Sequence, residues 1–322
     1  MKNVIVLMLL ISLFALGCLT AQPPTIRVGL IGLDTSHAPA FTRMLNDSTH
    51  DYFFPEARVV GAYPGGSPDV EASYTRVDKF TKQVAGYGVE IVDTIPAMLQ
   101  NVDAVILTSV DGRVHLEQVK PVIAAGKPVF IDKPMAASLQ DVKEIFRLAN
   151  DSGVPCFSAS SLRFVTPLRE TLQEISSDAV IGCDVYSPAS LEPHHPDLMW
   201  YGVHGVEMLF AVMGADNETV RRVHTEGTDV VVGTWSDGRI GTFRGIRHGA
   251  RGYGAVIYTE EKIHRIEPDM STLYANLMKE IIAFFRTGKS PIPQEETIAM
   301  FRFMQAADES KAQEGDVIRL TE

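Results

Sequence analysis

The sequence predicts an α/β protein, with an N-terminal Rossmann-like, doubly wound parallel sheet and a C-terminal α+β domain whose sheet is open and largely antiparallel. Three observations predict it. From about residue 25 to 158, short apolar runs alternate with helical segments. Those runs are continuous rather than alternating, as in strands buried on both faces of a parallel sheet. From Val180 onward strand-like segments follow one another, two of them joined by the tight turn Ser236-Asp237-Gly238-Arg239, the pattern of a hairpin. A chain of 322 residues is also more than one core usually serves. We divide it into a leader at 1–21, a Rossmann-like domain at 25–152 and an α+β domain at 153–322.

In chain order, the apolar run Ile26 to Ile31 is a buried strand ending at Gly32, and a helix follows over Pro39 to Leu45. Arg58 to Ala62 is the second strand, closed by Pro64-Gly65-Gly66, and a polar helix covers Val70 to Ala85. Strands at Val89 to Val92 and Ala104 to Thr108 flank a short helix at Ile95 to Leu99. The helix Leu116 to Ala125 stops at Gly126, and Pro128 to Ile131 is a strand. Ser138 caps the next helix, with Asp141 in the capping-box position, and Val142, Ile145, Phe146 and Ala149 share its apolar face. Pro155 to Ser158 begins the following strand. In the second half, strands fall at Val180 to Tyr186, Val230 to Trp235, Ile240 to Ile246 and Ala255 to Tyr258. Helices fall at Trp200 to Met213, around Leu273 to Phe284 before Gly288, and around Ile298 to Gln305.

Lys2 and the apolar run Val4 to Leu16 are too short for a bilayer span and are built like a signal peptide. Cleavage after Ala21 leaves Gln22 first; Ala15-Leu16-Gly17-Cys18 offers a lipid anchor at Cys18 as the alternative. Both predict an exported, periplasmic protein, tethered to the membrane in the second case. The net charge of -11 comes with no basic run, which excludes nucleic acid as a partner. Cys156 and Cys183 lie in apolar strand-like segments and read as small buried residues, with a disulfide as the alternative.

In an open parallel sheet the ligand crevice lies at the carboxyl ends of the strands. The first strand runs into Gly32-Leu33-Asp34-Thr35-Ser36-His37, where a dinucleotide fingerprint reads Gly-x-Gly-x-x-Gly. Only the first glycine is present, and Asp34 puts a side chain where backbone amides approach a pyrophosphate. Thr35, Ser36 and the helix N-terminus still offer donors to an anion. The second strand ends Gly61-Ala62-Tyr63-Pro64, without the acid that holds ribose hydroxyls. Further on, Asp132-Lys133-Pro134 closes a strand at the crevice mouth, where an amine of lowered pKa can move a proton. The loop Glu192-Pro193-His194-His195-Pro196-Asp197 can bind sugar hydroxyls or a divalent ion. Substrate contact is the better fit, because adjacent residues of an extended segment point apart. Arg163, at the joint between the domains, has the donor fork to grip a carboxylate or hydroxyls; Arg244 and Arg247, after the hairpin, rank behind it.

The block Gly126-Lys127-Pro128-Val129-Phe130-Ile131-Asp132-Lys133-Pro134 resembles the Gly-Lys-x-Val-x-x-Glu-Lys-Pro segment of the glucose-fructose oxidoreductase and inositol dehydrogenase (Gfo/Idh/MocA) family. Asp132 replaces the family's Glu. His115, with Ser109-Val110-Asp111 before it, resembles the family's Pro-Asn-x-x-His segment. Trp200-Tyr201-Gly202-Val203-His204-Gly205-Val206-Glu207 is similar to the pattern Asp-x-Gly-x-His-x-x-Asp: Gly202 and His204 match, Glu207 replaces the last Asp and Trp200 the first.

The resemblance implies a nicotinamide-dependent oxidoreductase, using NAD or NADP, that acts on a sugar or sugar derivative. Lys133 and His204 would be catalytic. Arg163, His194, His195, Asp197 and Glu207 would meet the substrate. Gly32, Thr35, Ser36, His37, Ser109, Asp132, Lys133 and Pro134 would meet the cofactor, with no metal. It also implies a homo-oligomer through the open sheet. Three features keep alternatives open. They are the broken glycine motif, Trp200 in place of Asp, and a leader without the twin arginines that export a folded, cofactor-loaded protein. The alternatives are a cofactor-poor or metal-using sugar lyase or glycosidase on the same scaffold, and a non-catalytic sugar-binding protein.

Overall fold

The structure, a computed structural model, describes residues 24–320. The leader, and with it the cleavage site after Ala21 and the anchor at Cys18, lies outside the described residues. The first sheet contains β1 (Ile26–Ile31), β2 (Ala57–Tyr63), β3 (Glu90–Ile91), β4 (Ala104–Leu107), β5 (Val129–Asp132) and β6 (Cys156–Ala159). All pairs are parallel, in the order β3-β2-β1-β4-β5-β6. The order reverses between β1 and β4, so the crevice opens where those strands end.

The connecting helices are α1 (His37–Asn46), α2 (Glu71–Tyr74), α3 (Val77–Ala85), α4 (Ile95–Leu99), α5 (His115–Ala124) and α6 (Leu139–Asp151). Ser138 caps α6 as expected, accepting the Asp141 N–H at 3.0 Å. The expected single helix over 70–85 is two. Thr75 turns its hydroxyl back onto the Glu71 carbonyl at 2.5 Å and the Arg76 Nε onto that of Ala72. The break leaves Arg76 at the start of α3, beside the crevice.

The second half adds α7 (Thr166–Glu174), α8 (Asp197–Trp200), α9 (Val203–Met213), α10 (Leu273–Thr287) and α11 (Gln294–Ala312). Its sheet comprises β7 (Val180–Pro188), β8 (Asn217–His224), β9 (Thr228–Trp235), β10 (Ile240–Ile246), β11 (Gly254–Thr259), β12 (Ile263–Ile266) and β13 (Ile318–Arg319). The order is β12-β11-β7-β10-β9-β8-β13, and only β7 and β10 run parallel. Strands β8 and β12 escaped the sequence reading because polar residues dilute their apolar alternation. The hairpin stands as read: Gly238, at φ +87°, closes the β9–β10 turn. Cys156 and Cys183 are free thiols. Among the described residues no helix is long and apolar enough to cross a membrane.

The division at 152/153 needs two corrections. Strand β6 pairs with β5 and belongs to the first sheet. Helix α10 returns across the joint, and its Leu277, Met278, Ile281 and Phe284 share one core with Val28, Phe41, Phe130 and Phe157. The first sheet therefore gets part of its cover from a segment more than a hundred residues downstream. On the other side α9, apolar on every face, is buried against β7, β10 and α11, as such a helix must be.

Candidate active site

The site is assembled at the end of β5 and the start of α9. One carboxylate oxygen of Asp132 accepts the Lys133 N–H at 2.9 Å, and the other pairs with the His37 Nδ1. His37 opens α1 and is packed against the rings of Phe41 and Tyr274, at 5.3 and 4.8 Å between centroids. This holds the strand end still. From the second domain, α9 brings His204. The Tyr201 ring lies next to both groups, 5.6 Å from the Lys133 Nζ and 5.0 Å, between centroids, from His204. Lys133 and His204 thus line one cleft of about 420 Å³ between the domains. Thr35, Ser36 and His37 form one end of it, Arg76 stands beside them, and Tyr253 and Tyr274 contribute further walls.

Both central groups are pushed toward their uncharged forms. Enclosure lowers the Lys133 pKa, and Arg76 nearby acts in the same direction against the opposing pull of Asp132. Burial holds His204 well below its ordinary value, and Lys133 and His37 add to that. The Ser160 hydroxyl lies 2.7 Å from the His204 Nδ1 and accepts the Leu162 N–H at 3.2 Å. Among the described residues the hydroxyl proton has no acceptor but Nδ1. The neutral ring therefore carries its own proton on Nε2, the nitrogen that Ser160 leaves free.

Five residues expected to meet substrate do not line this cleft. Arg163 pairs with Glu296 and lies 3.7 Å from Glu207, all three largely buried. Because α9 is buried all round, Glu207 has found a guanidinium behind the cleft, and burial raises its pKa to about 7. Asp197 is tied to Arg222, Arg247 and Lys311 at 3.0, 3.2 and 2.6 Å, since buried charges require partners. His194 is exposed and bonded to Glu192 at 3.0 Å. His195 is buried against the Trp200 ring, with its Nδ1 3.2 Å from the Pro196 carbonyl and its pKa pushed down to about 4. Among the described residues no three His, Cys, Asp or Glu side chains gather as a metal-binding set.

The sequence reading missed Ser160, Tyr201, Arg76, Tyr253 and Tyr274. Tyr201 stood inside a motif already singled out, and Ser160 lies three residues before Arg163. The other three come from distant segments and carry no local signal.

The residues at the crevice fit a dinucleotide in part. Gly32 has φ +85°, and a Cβ there would come within 2.2 Å of the Ser109 nitrogen, so this turn requires glycine. Asp34 does not obstruct as its sequence position implied. Its carboxylate is fully buried, accepting from the Val110 N–H at 2.9 Å and the Ser73 hydroxyl at 2.7 Å. Thr35 and Ser36, at the positive end of α1, remain open to the cleft and would hold phosphate. Ser109 and Pro134 are buried beside the crevice, Ser109 bonded to Gln118 at 2.8 Å. The end of β2 departs from the pattern. Its Tyr63 and Pro64 carbonyls accept the Gly32 and Leu33 N–H groups at 2.9 and 2.7 Å, and no acid is present for a ribose.

Comparison with known proteins agrees with this architecture. No curated protein sequence matches the chain. Myo-inositol 2-dehydrogenase from Lactobacillus plantarum superposes with a TM-score of 0.76 at 15% identity, covering 92% of this chain and 100% of that one. Myo-inositol dehydrogenase from Lactobacillus casei, in complex with NAD(H) and myo-inositol, gives 0.74 at 14% identity, covering 93% and 98%. Scyllo-inositol dehydrogenase from Lactobacillus casei, with bound NAD(H) and scyllo-inositol, gives 0.73 at 15%, covering 92% and 99%. At such identities the likeness is one of fold. Residues 26–160 match the family model described as "Oxidoreductase family, NAD-binding Rossmann fold".

Proposed function

We propose that the chain is an NAD-dependent oxidoreductase acting on a sugar or sugar derivative, with Lys133 and His204 handling the hydroxyl proton. One observation carries the reading: a lysine from one domain and a histidine from the other line the same cleft. The family's cofactor, when bound, supplies the hydride acceptor. The protein's task is then to position a carbinol and remove its proton. The lowered pKa of Lys133 suits it to be the base. With its proton on Nε2, His204 suits donation of a hydrogen bond to the same oxygen, and Ser160 keeps it in that tautomer.

The test follows reduced nicotinamide by absorbance in a panel of sugars, with NAD affinity measured by calorimetry. Lys133→Ala is expected to cut turnover by roughly 10²- to 10⁴-fold, far more than it weakens NAD binding. A chain that neither carries nor binds NAD would end the proposal.

We also propose export, on the strength of Lys2 and the apolar run Val4 to Leu16; the N-terminal sequence of the protein from an envelope fraction tests it. Oligomerisation through the second sheet is proposed as well. Ile181, Val223, Ile240 and Ile263, each at least half exposed, dot β7, β8, β10 and β12, and light scattering on purified protein counts the subunits.

A further inference from the structure

A cleft built for a neutral polyol needs acceptors as well as donors, because every sugar hydroxyl has a proton to place. The strongest acceptors a protein owns are carboxylates, and among the described residues none lines this cleft. Asp34 and Asp132 lie beneath it, fully or almost fully buried, and both are engaged: Asp34 with Ser73 and Val110, Asp132 with His37 and the Lys133 backbone. The one carboxylate that the family's histidine motif would have placed here is Trp200.

What does line the cleft is rich in donors. Arg76 and Lys133 face it, with His204 and the hydroxyls of Tyr253 and Tyr274. The Arg76 guanidinium donates through Nε to the Ala72 carbonyl and makes no ion pair among the described residues. Thr35 and Ser36, just before α1, line the same cleft. Arg76 is thus a cation without an acidic partner among the described residues, in a protein of net charge -11.

We infer that the substrate is a sugar acid, whose carboxylate is held by Arg76 while its carbinol lies between Lys133 and His204. The inference rests on the cleft being the substrate site of the proposed oxidoreductase and adds the chemical class. The carboxylate gives the Arg76 guanidinium the acidic partner it lacks among the described residues, and an arginine fork matches it in shape as well as charge.

The test is isothermal titration calorimetry on the full purified chain, with and without NAD. D-gluconate and D-glucuronate are titrated against D-glucose, and D-galactonate and D-galacturonate against D-galactose. At least one acid is expected to bind tenfold or more tighter than its neutral partner, the size of one charged hydrogen-bonded contact. Arg76→Gln should erase that preference, weakening the acid tenfold or more beyond any change in the neutral sugar or NAD. Arg76→Lys should keep part of the preference, and melting curves of both variants establish that they fold.

Equal binding of acid and neutral sugar in both series overturns the inference. So does a loss confined to NAD in Arg76→Gln, which assigns the guanidinium to the dinucleotide's phosphates. Preference for D-glucose 6-phosphate over every acid overturns it too. The two proposals fail separately. Acid preference without NAD binding leaves this inference standing and removes the oxidoreductase. NAD reduction on neutral sugars alone does the reverse.

Discussion

Gly205 follows His204 on α9 and has no room for a side chain. A Cβ built there comes 2.4 Å from the Phe243 Cε2 and 2.7 Å from the Ser187 Oγ. Neither neighbour can retreat, because Phe243 on β10 and Ser187 on β7 are both completely buried. Carbon atoms in contact prefer about 3.5 Å, so Gly205→Ala asks α9 to move off the sheet by about 1 Å. Overpacking of this kind costs about 1–3 kcal/mol. The better helix propensity of alanine returns about 1 kcal/mol. The net loss should be about 0–2 kcal/mol, read from urea denaturation. The effect on the site should be far larger in proportion, since the same shift carries His204 with it. A misplacement of about 1 Å lowers a rate by about a hundredfold, so kcat/KM should fall that far in a variant that remains folded. A Gly205→Ala protein with wild-type stability and wild-type kcat/KM would refute the seating of α9 described here and, with it, the route by which His204 reaches the cleft.

Three further outcomes are expected. Lys133→Arg keeps the charge but installs a group that does not deprotonate. Turnover should drop by about 10²-fold or more, and the rise of wild-type turnover with pH, which follows deprotonation of Lys133, should disappear from the pH–rate profile. Arg222 is fully buried among Asp197, Asp229 and Asp308. Removing one partner of a buried ionic set costs about 3–5 kcal/mol, so Arg222→Ala should show a large drop in melting temperature without new chemistry in the cleft. Glu207 has its folded pKa raised from 4.5 to about 7, chiefly by burial. Between those values the folded chain keeps a proton that the unfolded chain releases, so wild-type stability falls as pH rises through that window. Glu207→Gln should therefore gain on wild type from pH 4.5 to about 7 and hold a constant advantage above, as calorimetric melting in a pH series will show; a difference independent of pH would exclude a titrating Glu207.

The first half of the fold was legible because its signals are local. Continuous apolar runs, the Ser138 cap and the glycines after α5 and α6 each act over a few residues. Lys133 was legible for the same reason, since it closes a strand whose carboxyl end the topology directs into a crevice. His204 was reached through the resemblance of its helix, not through periodicity. The polar loop before α8 misled for a physical reason. His194, His195 and Asp197 have the chemistry of a site, but a buried acid takes the nearest cations. Here those are Arg222, Arg247 and Lys311, from segments that sequence distance separates widely. Arg163 is taken in the same way by Glu296, with Glu207 3.7 Å away.

By itself the sequence determined most of the strands and helices, that they form two sheets, and which lysine stands at the crevice mouth. Hydrophobic period and turn chemistry are properties of neighbouring residues, so one dimension suffices for them. Only the tertiary structure decided that α10 crosses back to cover the first sheet, that Asp34 turns away from the crevice, and that Arg76 and two tyrosines join Lys133 and His204 in a cleft without a carboxylate. Those outcomes depend on which buried polar groups find one another, and that pairing is settled by distance in space.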